Sequence, residues 1–166
     1  MEYKKKVKEV IDRFYVECVE EFKEAEQRIA SDSKFRKIFG KKDYAGNIEI
    51  LRSCKKQARS LRFPTGDIPK EDQETKDLVR QTEQSIRQFS KVCDAYIQLQ
   101  TALEQKSKGA NISYKDYMEF YHRTQEERVE MNRYLKDLDL MYTDYIEDED
   151  YDMYEFLTLA DIEAED

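Results

Sequence analysis

The sequence predicts an all-α protein: an elongated antiparallel helical bundle with a long coiled-coil-like C-terminal hairpin. Charged residues make up 40% of the 166 residues, and the chain holds only four glycines and two prolines, far below the roughly 12% that these two residue types share in an average protein. Apolar residues recur at steps of three and four, which is the spacing of one helix face. Both prolines fall within residues 63–69, so this segment is the clearest break in the chain.

Two helices and a short one between them are predicted before that break. The apolar stripe of the first helix comprises Val7, Ile11, Phe14, Cys18, Phe22, Ala25 and Ile29. Ser31 and Asp32 are expected to end this helix and to cap the short one, which Gly40 stops. The next helix is predicted over about 43–62. Its stripe comprises Tyr44, Ile48, Leu51, Cys54, Ala58 and Leu61.

A long antiparallel hairpin, roughly residues 69–147, is predicted after the break. Its first helix runs to about Ser107, and the four residues 108–111 close it. The stripe of this first helix comprises Leu78, Thr82, Ile86, Phe89, Cys93, Tyr96, Leu99 and Leu103. Ser113, with Asp116 three residues later, is a typical capping-box start for the second helix. The stripe of that helix comprises Tyr114, Tyr117, Tyr121, Thr124, Arg128, Met131, Leu135, Leu138, Tyr142 and Tyr145. Because its centre is polar at Thr124 and Arg128, this part either fixes the register or marks where another element covers the helix.

The acidic C-terminal end sets the predicted domain organisation, a helical bundle over residues 1–146 and an acidic tail over residues 147–166. The net charge is −8, yet residues 137–166 hold 13 acidic residues and no lysine or arginine. The helix is expected to stop at about Glu147, since carboxylates near a helix C-terminus oppose the helix dipole. The tail is predicted to fold back on a basic part of the chain, to bind a basic protein, or to keep the protein soluble without a partner.

That basic part is residues 34–62, which hold ten basic and two acidic residues. Five of them follow helical spacing and form one predicted stripe. They are Arg52, Lys55, Lys56, Arg59 and Arg62. Such a stripe binds a phosphate backbone with an affinity that depends on salt and not on base sequence. The alternative is an amphipathic helix whose solvated face is rich in lysine.

The residues give no support to catalysis or to a cofactor. Glu119 and His122 match the Glu-x-x-His spacing of di-iron bundles, but such a site needs a second copy of the motif, and His122 is the single histidine. Cys18 and Cys54 are expected to lie about 20 Å from Cys93 and His122 at 1.5 Å of rise per residue. That spread excludes a tetrahedral zinc site, and the thiols are expected to be core residues.

We therefore expect a non-enzymatic cytoplasmic protein that binds another macromolecule. The expected contacts are the acidic end and the tyrosine-rich last helix, and the expected partner is a basic protein, with the acidic end acting as a nucleic-acid mimic or inhibitor. The predicted contact residues are Asp144, Glu147, Asp148, Glu149, Asp150, Asp152, Tyr145, Tyr151 and Tyr154. The alternative is a nucleic-acid-binding module that uses the basic stripe and is regulated by the tail. Self-association is a further candidate. A membrane is not an expected partner, because no apolar stretch reaches the roughly 18 residues of a membrane span.

Overall fold

A computed structural model describes the backbone of residues 1–39 and 43–165 and the side chains of residues 1–31 and 43–148. The described backbone is almost entirely helical and contains no strand, so the predicted all-α class is confirmed. The elements in chain order are α1 (Glu2–Arg13), a π-helical segment (Phe14–Val19), α2 (Glu20–Phe39), α3 (Tyr44–Ser60), a 3-10 turn (Thr65–Asp67), α4 (Gln73–Ser107) and α5 (Tyr114–Glu165).

The helices form an antiparallel bundle in which α4 packs along both α3 and α5. At the base of the bundle the Tyr3 hydroxyl donates to Asp72 Oδ2 at 2.7 Å, which joins the start of α1 to the start of α4. At the other end Arg28 Nη2 lies 3.6 Å from Asp43 Oδ2, which joins α2 to the start of α3. The chain therefore runs up, down, up and down, as the short connections predict.

The first helix departs from the prediction at two places. The expected break at Ser31 and Asp32 is wrong, because the backbone stays helical through Phe39; serine and aspartate favour caps but are tolerated inside a helix that neither glycine nor proline interrupts. The π segment was not predicted at all. It buries Val19 beside Cys18, so the apolar stripe widens where the extra residue of the π turn shifts the helix phase.

One continuous core joins the helices. Its centre is aromatic: Phe89 of α4 packs edge-on against Phe14 at 5.6 Å and against Phe22 at 5.7 Å between ring centroids. The predicted apolar stripes account for most of the remaining core. Those stripe residues include Leu51, Cys54, Ala58, Leu78, Cys93, Met131, Leu135 and Leu138. The bundle is therefore held by the faces that the periodicity predicts.

The polar centre of the α5 stripe is covered by α2. The Arg128 guanidinium forms an ion pair with Glu26, with Nε 2.8 Å from Oε2, and lies over the Phe22 ring at 5.6 Å. The Tyr96 hydroxyl of α4 donates to the same Glu26 oxygen at 2.8 Å. One carboxylate thus connects three helices, and another element covers this polar centre, as one of the two interpretations expected.

Side-chain caps define where the hairpin helices begin. α4 starts at Gln73 and not near Pro69, because the Asp72 carboxylate accepts from Thr75 N at 3.2 Å. The predicted cap of α5 is confirmed, since Ser113 Oγ accepts from Asp116 N at 3.0 Å. Between the two helices Gly109 has a φ of 97°, a conformation that favours glycine.

The expected end of the last helix near Glu147 is wrong, because the backbone is helical through Glu165. No glycine or proline follows Gly109, and like charges one turn apart cost a helix only a few tenths of a kcal/mol per pair. A continuous helix does not turn back onto α3 of its own chain. The fold-back interpretation of the tail is therefore wrong, while the domain boundary after residue 146 stays a prediction.

The interhelical ion pair yields a stability prediction. Arg128→Met leaves Glu26 without its cation, and we expect a loss of about 1–3 kcal/mol in the free energy of unfolding, measured by urea denaturation. Adding Glu26→Gln removes the unpaired charge, so the double variant should be more stable than Arg128→Met alone. Arg133→Met, which removes an exposed pair with Glu130, is the control and should change stability by less than about 0.5 kcal/mol. A double variant that is less stable than Arg128→Met contradicts this account.

Candidate interaction surfaces

The predicted basic stripe lies on the solvent side of α3. Arg52, Lys56 and Arg59 are exposed, while the inward face of the helix carries Leu51, Cys54 and Ala58. Two members have local partners. Lys55 Nζ lies 2.7 Å from Asp94 Oδ1 of α4, and Arg62 donates to the carbonyl oxygens of Arg59 and Leu61. Arg52, Lys56 and Arg59 form no ion pair with the side chains that the structure describes.

Helix α4 extends this basic surface with two residues that the sequence analysis missed. A groove of about 580 Å³ between the end of α3 and the middle of α4 is lined by Arg59, Arg62, Arg87 and Lys91. Arg87 and Lys91 are four residues apart on α4, so they share one face. Their spacing alone could have suggested a basic pair, but only the packing of α4 on α3 places them beside the stripe.

The floor of this groove is apolar. It is formed by Ala58 and Leu61, which are buried, and by Phe63 and Ile86, which are half-buried and pack against the core. Glu83 is the acidic residue among the groove's described lining residues. A second groove of about 510 Å³, which shares Arg59, continues along Arg52, Lys55 and Lys56. The two grooves combine a basic rim with an apolar floor; we call them together the basic groove.

The acidic end of α5 is exposed as far as its side chains are described. Asp144, Glu147 and Asp148 are all exposed. Glu74 of α4 lies beside Asp148. Partial loss of hydration, and then the negative charge of Asp148 and its hydrogen bond, raise the pKa of Glu74 above its usual range. Part of this rise comes from the proximity of two carboxylates, Glu74 and Asp148.

Tyr145 does not belong to this exposed surface. It is 3% exposed, and its hydroxyl lies 3.1 Å from Thr75 Oγ1, which in turn donates to Asp72. The predicted role of Tyr145 in partner contact therefore needs correction: the side chain faces the core because the α5 stripe continues to this position. The side chains of the other predicted contacts lie outside the described residues. They are Glu149, Asp150, Asp152, Tyr151 and Tyr154.

The tyrosines of the predicted α5 stripe divide into two groups. Near the acidic end Tyr142 donates to Asp12 at 2.7 Å and Tyr145 is buried, so both contact other helices of the bundle. At the start of α5, Tyr114 and Tyr121 are exposed, and Tyr117 stacks on Tyr121 at 6.3 Å. These last three line a cleft of about 690 Å³ that also reaches Glu26 and Tyr96. The exposed tyrosines thus lie at the opposite end of α5 from the acidic surface.

The three cysteines lie together in the core, which corrects the expected separation. Cys93 interacts electrostatically with both Cys54 and Cys18, because α3 packs against the middle of α4 and not against its end. Burial raises the pKa of Cys18 to about 12 and that of Cys54 to about 11, so these thiols are protonated and poorly nucleophilic at neutral pH. His122 is exposed beside Tyr121.

Among the described residues, no group of three or more histidine, cysteine, aspartate or glutamate side chains has the arrangement of a metal site. Within the same residues, none of the helices combines the length and the apolar character needed to cross a membrane. Compared with protein-family models, curated proteins and solved structures, the chain matches none of them. The surfaces described above therefore have to be interpreted from their own chemistry.

The acidic contact between α4 and α5 predicts a pH-dependent stability. Because the folded-state pKa of Glu74 is raised, the folded protein loses stability as the pH rises through that pKa. Glu74→Gln should therefore raise the melting temperature at neutral pH and leave it unchanged in acid, where Glu74 is protonated. Glu83→Gln, an exposed acid of the same helix, should show no such pH-dependent gain. A gain for Glu74→Gln that persists in acid would mean that the charge of Glu74 is not its cause.

Proposed function

We propose that this protein is a non-enzymatic binding protein whose acidic α5 end contacts a basic protein partner. The observation that carries the proposal is the charge of α5 after Lys136. Five acidic side chains are exposed there within the described residues, and no lysine or arginine follows them in the sequence. They are Asp137, Asp139, Asp144, Glu147 and Asp148. The proximity of Glu74 to Asp148 supports the proposal, because a cationic side chain of a basic partner would lower the repulsion between these two carboxylates.

The contact surface that we propose differs from the tyrosine-rich surface that the sequence suggested. Tyr145 and Tyr142 contact other helices of the bundle, so the carboxylates of Asp144, Glu147 and Asp148 carry the contact among the described residues. Leu140 and Ile146 are exposed between these acids, at 60% and 36%, and they supply apolar contact beside the charges. The residues from Glu149 onward continue the acidic sequence. We further propose that the protein works in the cytoplasm, where its three free thiols stay reduced.

The acidic contact is tested by removing charge without removing volume. The triple variant Asp144→Asn, Glu147→Gln, Asp148→Asn should bind a fluorescent lysine-rich peptide more weakly and with a shallower salt dependence, measured by anisotropy, since rim charges govern association and its salt dependence. The matched control Glu9→Gln, Glu49→Gln, Glu126→Gln removes three exposed acids elsewhere. Equal weakening by both variants would mean that only net charge matters, and the proposal would fail.

A second candidate function, nucleic-acid binding by α3, is favoured by the exposed basic stripe and its extension onto α4. In this case Arg52→Ala, Lys55→Ala, Lys56→Ala, Arg59→Ala should strongly weaken the binding of labelled RNA and DNA. The slope of log affinity against log salt should fall by about 3–4, because each phosphate contact contributes nearly one unit. The control replaces Lys4, Lys5, Lys6 and Lys8 of α1 by alanine. Unchanged affinity in the α3 variant rules the candidate out.

A further inference from the structure

The basic groove has the two properties of a surface that receives an amphipathic acidic helix. Its rim carries Arg59, Arg87 and Lys91, whose side chains form no ion pair with the described residues. Its floor is apolar at Leu61, Phe63 and Ile86. A helix that lies in a groove buries apolar residues against the floor and pairs its charges with the rim.

A nucleic acid matches only one of these two properties. Its phosphates would pair with the basic rim, but its backbone would leave the apolar floor without a partner. Stacking on bases requires aromatic side chains that stand free in the groove. Phe63 is half-buried and packs against the core, so its ring does not stand free in the groove. The combination favours a peptide helix over a polynucleotide.

The C-terminal sequence of the same chain has the complementary composition. Residues 149–165 have a helical backbone and hold acidic residues without a lysine or arginine. Apolar residues are interspersed among these acids. They include Phe156, Leu157, Leu159 and Ile162. At 1.5 Å per residue this segment is about 25 Å long, which exceeds the roughly 10 Å that separate Arg52 from Arg59 along α3 by the same measure.

The two complementary surfaces of one chain do not meet within that chain. α5 is helical without a break from Tyr114 to Glu165, and a helix of that length does not reverse its direction to reach α3. The groove lies between α3 and α4, whereas the acidic end belongs to α5, which packs on a different face of α4. The acidic end of one chain can therefore reach the groove of another chain and not its own.

We propose that the basic groove of α3 and α4 binds the acidic C-terminal helix of a second copy of this chain. This inference rests on the proposed function, for which it names the basic partner. Each copy presents one groove and one acidic end, so the contact joins two different surfaces. Such a head-to-tail contact builds open chains unless the rotation between copies closes a ring.

Two full-length variants test the proposal by mixing. The groove variant carries Arg59→Glu, Arg87→Glu and Lys91→Glu; the tail variant carries Glu149→Gln, Asp150→Asn, Asp152→Asn and Glu155→Gln. We expect the wild-type protein to associate with rising concentration at about 0.01 M salt and to dissociate at about 1 M, where charges are screened within a few ångströms. Each variant alone should associate about tenfold to hundredfold more weakly, since several exposed pairs are lost together.

The decisive sample is the equimolar mixture of the two variants, measured by analytical ultracentrifugation. The intact tail of the groove variant fits the intact groove of the tail variant, so the mixture should form heterodimers that do not grow further. The control Lys115→Glu, Arg123→Glu, Arg133→Glu changes the same amount of charge at exposed positions of α5 and should associate like the wild type. If the charge reversals impair folding by circular dichroism, alanine at the same three groove positions replaces them.

Three outcomes overturn the proposal. A wild-type protein that stays monomeric at low salt has no such contact. A mixture that forms no heterodimer, although wild type associates, assigns the association to another surface. RNA binding that the groove variant loses, in a wild type that stays monomeric, makes the groove a nucleic-acid site. If the lysine-rich peptide still distinguishes the α5 triple variant from its control in any of these cases, the proposed function stands and only the identity of the partner is wrong.

Discussion

The bundle depends on one carboxylate, Glu26, which fixes the relative register of three helices. Arg128 of α5 and Tyr96 of α4 both reach it, and the guanidinium also lies over Phe22. Apolar stripes of leucine and phenylalanine tolerate sliding by one turn, because many such arrangements bury similar areas. A charged pair that is mostly withdrawn from water does not tolerate it, since sliding would leave both charges unpaired. This contact therefore sets the level at which the middle of α5 packs against α2 and α4.

Much of the fold could be predicted because helix periodicity and the near absence of glycine and proline act locally. The stripes of the first helix, α3 and α4 and the Ser113 cap needed no knowledge of tertiary structure. The π segment at Phe14–Val19 could not be predicted in this way, because no residue type specifies a π turn and it is retained through the packing of Cys18 and Val19. The predicted helix end near Glu147 was wrong because the dipole opposes carboxylates only in the last turn, whereas the sequence after Gly109 holds no glycine or proline to end the helix.

The candidate surfaces were predictable only in part. The α3 stripe lies within one helix, so its spacing was sufficient to find it. Arg87 and Lys91 join it from another helix, and that juxtaposition depends on the level at which α3 meets α4. The same packing level brings Cys93 close to Cys18 and Cys54, whereas the helical rise per residue had predicted a separation of about 20 Å. Tyr145 was predicted as a contact residue because it is an aromatic residue among acids. Its position in the apolar stripe makes it a core residue instead.

The hydroxyl contacts at the base of the bundle hold α5 at Tyr145, and the helix continues beyond that residue. Tyr145 is the last buried side chain of α5 among the described residues, and it is held at Thr75, which shares Asp72 with Tyr3. From Tyr145 the helix backbone continues to Glu165, a distance of about 30 Å at 1.5 Å per residue. A tilt of about 10° at Tyr145 therefore moves the far end of the helix by about 5 Å. Such a tilt displaces each acidic residue beyond Tyr145 in proportion to its distance from that contact.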